Sequence, residues 1–78
     1  MHEKEIMQWA IKGIEAEMKN LNKRLRRALL IQQAHRKGIQ NGNYDAERAE
    51  KRIEDLRAEI ELLSRKKAFL VVQLEDKE

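Results

Sequence analysis

The chain has no cysteine, no proline and no threonine, and it holds only one serine, three glycines and three aromatic residues. Each scarcity excludes something. Without cysteine there is no disulfide, no thiolate ligand and no thiol nucleophile. Without proline, and with three glycines in 78 residues, little interrupts a helix. Aromatics at 4% are too sparse for an ordinary β-sheet or a large globular core. Ser64 has no histidine and acid partner that the spacing would bring to it, so no catalytic triad can be assembled. His2 and His35, the only histidines, stand at no metal-ligand spacing. The glycine in Asn41-Gly42-Asn43 is turn chemistry, with no phosphate-loop pattern around it.

Long apolar runs are also missing. None approaches the roughly 20 residues of a membrane span, and no hydrophobic signal segment follows Met1. The expectation is a cytoplasmic, non-enzymatic protein with no cofactor, no metal, no small-molecule substrate and no membrane association.

What is present is charge and helical periodicity. Charged residues make up 40% of the chain, and Ala, Glu, Lys, Leu and Arg dominate it, as in long helices. The net charge of +3 is unevenly spread. Residues 18–37 carry seven Lys or Arg and no acid, whereas residues 38–61 carry seven acids against four bases.

Apolar residues recur at Met7, Ile11, Ile14, Met18, Leu21, Leu25 and Ala28, alternating steps of four and three. That is the heptad seam of a coiled coil. A second seam runs Ala46, Ala49, Ile53, Leu56, Ile60, Leu63, Leu70 and Leu74, with Lys67 breaking it. Between the seams lies the one loop-like stretch, residues 38–43. Gly38 suits the left-handed residue after a helix, with Ile39 folding back onto Ala34. Asn43 suits the cap of the next helix, with Asp45 and Glu47 in its first turns.

The spacing therefore predicts one all-α domain over residues 1–78: helix 1 over about 4–37, a loop at 38–43, helix 2 over about 44–75. Folded as an antiparallel coiled-coil hairpin, the seams match. Met7 meets Leu74, Ile11 meets Leu70, Met18 meets Leu63, Leu21 meets Ile60, Leu25 meets Leu56 and Ala28 meets Ile53. Ile14 meets Lys67, whose stem can cover the isoleucine while its ammonium reaches water. The centre of this pairing falls inside the predicted loop. Flanking charges place Arg24 near Glu59 and Glu17 near Lys66, pairs that set register more than stability.

A two-helix hairpin has one seam and no second layer, so apolar residues off the seam need another use. Ile6 and Trp9 on helix 1, and Leu62, Phe69 and Val72 on helix 2, form such rows near the chain termini, with Gly13 and Ala16 continuing the helix 1 stripe. A smaller set, Leu29, Leu30, Ile31, Ile39 and Tyr44, lies near the loop. The rows predict homodimerisation into a four-helix bundle, or a face for another protein with aromatic anchors. The function expected is a protein–protein interaction module: an adaptor, inhibitor or regulator. The alternative is a nucleic-acid-binding hairpin dimer using the basic block, Lys19, Lys23, Arg26, Arg27, Arg36 and Lys37, on phosphates. The same cations suit an acidic protein partner. Against phosphate binding, no aromatic interleaves the block to stack bases.

Overall fold

The computed structural model describes residues 2–38 and 44–76, which form a helical hairpin. Helix α1 spans Glu3–Arg36 and helix α2 spans Ala46–Asp76. The chain measures 57 × 15 × 15 Å along its principal axes, the dimensions of two helices lying side by side. Among the described residues there is no strand.

Each helix end has an identifiable cause. Glu3 and Glu5 occupy the first turn of α1, where the dipole favours negative charge, and His35 and Arg36 occupy the last. His2 adds no side-chain cap to the backbone; its Nδ1 lies 3.4 Å from Glu5 Oε2. At the other end Gly38 takes φ +83°, the left-handed stop expected of it. The Gly38 N–H donates to the His35 carbonyl at 3.0 Å, and the Lys37 N–H donates to the Gln33 carbonyl at 3.1 Å. Two of the last carbonyls of α1 are thereby satisfied. The fold-back of Ile39 and the turn at Asn41-Gly42-Asn43 lie outside the described residues.

Helix α2 begins later than expected. Asn43, the expected cap, lies outside the described residues, and Asp45 does the capping. Its Oδ1 accepts from the Arg48 N–H at 3.3 Å, and its carbonyl accepts from the Ala49 N–H at 3.0 Å. Asp and Asn cap comparably well, and an ionised Asp also complements the dipole. The later start leaves Tyr44 outside the helix. Its ring stacks on His35, with centroids 4.0 Å apart and planes 23° from parallel. Ala46, placed on the seam by its spacing, is exposed instead. The ring that covers His35, the last seam position of α1, is that of Tyr44.

The heptad positions from Met7 to Gln32 and from Ala49 to Leu74 are all buried or half-buried. Among the described residues only three are deeply buried: Leu21 at 4% exposure, Ile53 at 5% and Leu56 at 7%. Lys67 is the one charged group in the seam. It does not simply reach for water: its Nζ pairs with Glu15 Oε2 on α1 at 2.9 Å, and both side chains stay partly exposed. The other two expected cross-helix pairs, Arg24 with Glu59 and Glu17 with Lys66, do not form ion pairs.

Candidate functional site

Two surfaces stand out on this rod, one toward each end. The first is apolar. Ile6, Trp9, Leu62, Phe69 and Val72 are between 55% and 69% exposed. All five belong to the half of the hairpin that holds the first turns of α1 and the last turns of α2. They stay outside the core because their heptad positions point away from the seam, and a pair of helices has nothing else to cover them.

The structure gathers these residues only in part. Leu62 and Phe69, two turns apart on α2, line one shallow apolar depression with Ile14 and Leu70 of the seam; Arg65 and Lys66 form its rim. Arg65 is held in place by Glu61, Nη2 to Oε1 at 2.8 Å. Ile6, Trp9 and Val72 lie outside the depression. Gly13 is exposed on this half of α1, and a Cβ built there would meet nothing within 4 Å. Within one chain its lack of a side chain serves no packing purpose.

The second surface is basic. Lys19, Lys23, Arg26, Arg27, Arg36 and Lys37 are all exposed. Among the described residues none of the six takes part in an ion pair. The acids of α2 therefore do not neutralise this block by direct contact. The six do not converge either. Of them only Arg27 lines the groove that runs between the helices in the loop half. The other cations of that groove are Arg24 on α1 and Arg48, Lys51 and Arg52 on α2. Reading the charge as a linear run takes in Arg24 but misses the three on α2. The signal was in the heptad frame, which puts Arg24 and Arg52 directly beside the seam and Arg27 and Arg48 one position further out on the same side.

The remaining expected cluster is mixed. Leu30 and Ile31 are exposed, Leu29 and Tyr44 are half-buried, and Ile39 lies outside the described residues. His35 Nδ1 is buried without a hydrogen-bond partner among the described residues, its ring face being occupied by Tyr44. No group of three His, Asp or Glu side chains among the described residues is arranged to hold a metal ion. No described helix is long and apolar enough to cross a membrane.

Comparison with protein-family models, curated proteins and solved structures finds no match to this chain. Its own surfaces therefore carry the functional reading.

Proposed function

We propose that this chain is a small non-enzymatic protein–protein interaction module, an adaptor, inhibitor or regulator that presents a rigid helical face. The observation that carries the reading is the exposure of Ile6, Trp9, Leu62, Phe69 and Val72 on one half of the rod. Two large aromatics among five exposed apolar residues are what binding surfaces concentrate and isolated chains avoid.

The first partner is a second copy of the chain. Among the described residues only Leu21, Ile53 and Leu56 are deeply buried, so most of the seam still meets water on a two-helix rod. A second layer of helices on the terminal half would cover the apolar rows and the seam edges beside them. The open space at Gly13 would let a neighbouring helix come close. Within each hairpin the helices pack as an antiparallel coiled coil. The Glu15–Lys67 ion pair and the stacking of His35 on Tyr44 support that register from opposite ends of the rod.

Sedimentation of wild type and Trp9→Ala/Phe69→Ala over a range of concentrations tests the reading. Wild type should self-associate and the double variant should not. A double variant that associates as wild type does would remove this surface from the function.

A second reading follows from the basic block, whose six cations are exposed and without ion pairs among the described residues. Such a block suits phosphate contact in a nucleic-acid-binding hairpin dimer. Binding of that kind weakens steeply with salt, and Arg26→Glu/Arg27→Glu should abolish it; affinity unchanged in that variant rejects this reading.

A further inference from the structure

We propose that the groove between the helices in the loop half is a docking site for an acidic amphipathic helix of another protein. This surface is separate from the apolar rows and shares with them only the premise that the chain docks proteins.

The groove has a floor and two walls. Ala28 and Ile31 of α1, with Ala49 and Leu56 of α2, supply an apolar floor. Arg24 and Arg27 stand on the α1 side, Arg48 and Arg52 on the α2 side. Each pair is one helical turn apart, so each side offers two guanidiniums in a row. Among the described residues no ion pair engages any of the four side chains. A guanidinium presents five donors in a planar fork that matches a carboxylate in bidentate fashion. Four such groups without acidic partners, bordering an apolar strip, are complementary to a helix with an apolar stripe edged by carboxylates. This is helix-in-groove recognition, in which apolar anchors give affinity and flanking charges give register.

The walls discriminate between an acidic helix and a nucleic-acid backbone. Asp45, the cap of α2, lines the groove too, and Asp55 and Glu59 stand on the same α2 wall as Arg52. A phosphate backbone is negative at every step and meets those three carboxylates with repulsion. A peptide helix sets its charge residue by residue, placing acids against the arginines and neutral or basic side chains against Asp55 and Glu59. The apolar floor points the same way, since apolar side chains dehydrate it and sugar-phosphate does not. The one aromatic in the groove, Tyr44, is stacked on His35 and so has one ring face fewer for a base.

The test uses the full chain and fluorescence anisotropy with three labelled probes. One is a helical peptide with leucine at heptad positions a and d and glutamate at e and g, glutamine replacing glutamate at g in the half that meets Asp55 and Glu59. The second is the same peptide with lysine at e and g. The third is a short duplex RNA. The glutamate peptide should bind and the lysine peptide should not. Arg27→Glu/Arg52→Glu should weaken the glutamate peptide by about tenfold or more, as expected where charge pairs across an interface are reversed. Arg27→Gln/Arg52→Gln should weaken it less, and circular dichroism of both variants should match wild type. Trp9→Ala/Phe69→Ala should bind the glutamate peptide as wild type does, so that failure of the apolar-surface reading leaves this site intact. Equal binding of the two peptides, no binding of either, tighter binding of the RNA, or insensitivity to both arginine variants would overturn the proposal. So would loss of the glutamate peptide in Trp9→Ala/Phe69→Ala.

Discussion

The two halves of the rod solve the same packing problem with different surfaces. In the loop half α1 is stopped by Gly38, α2 is capped by Asp45, and Tyr44 closes over His35. Ile53 and Leu56 on α2, with Leu21 on α1 near the middle of the rod, are the deeply buried core among the described residues. In the terminal half the seam residues Met7, Ile11, Ile14, Leu70 and Leu74 are no better than half-buried. A lysine interrupts that seam, and the large exposed aromatics stand beside it. The loop half has capped helix ends and a buried core; the terminal half keeps an open seam and exposed apolar side chains. One short rod thus carries a charged, grooved end and an apolar, open end.

The largest expected effect breaks the core of the first half. Leu56→Ala should cost about 3 kcal/mol, from lost burial and the cavity left behind, while Leu70→Ala in the half-buried seam should cost roughly half that. Urea unfolding of both variants at low protein concentration checks the ratio. Equal costs would mean that the two halves are equally packed.

Gly38→Ala comes next. Its φ of +83° is a conformation that costs an L side chain about 1 kcal/mol, and the loss should appear in the unfolding midpoint. Asp45→Ala should cost about 1 kcal/mol through the lost cap, whereas Asp45→Asn should cost little because asparagine caps as well. Thermal unfolding of the pair separates capping from any other use of the aspartate.

The smallest effect sits in the terminal half. Lys67→Leu removes an exposed ion pair worth about 0–1 kcal/mol and restores an apolar seam residue facing Ile14, worth about 1 kcal/mol at partial burial. The net change should be a slight gain in stability. A marked loss would mean that the Glu15–Lys67 contact fixes the helix register.

Much of the fold was legible because helix pairing depends on a short-range period. The steps of four and three from Met7 to Ala28 mark a buried stripe whatever surrounds them, and Gly38 announces a left-handed stop through chemistry no other residue shares. The start of α2 was less legible. Asn43 and Asp45 are both good caps, and stacking of Tyr44 on His35, a tertiary contact, accompanies the later start. The exposed rows Ile6, Trp9, Leu62, Phe69 and Val72 could be found by subtracting the seam. The arginine groove could not be found from the charge run 18–37, because a groove collects charge across two helices and a run counts it along one. Arg48 and Arg52 sit in a stretch whose net charge is negative, which hid them.

The most direct test of the central claim is sedimentation equilibrium of wild type beside Trp9→Ala/Phe69→Ala. Both side chains are more than half exposed, so their loss should leave the helix content of a single chain nearly unchanged. The expected result is a dimer for wild type and a monomer of equal helicity for the variant. The contradicting result is the same mass for both across the concentration range, which would leave the apolar half of the rod without the role assigned to it.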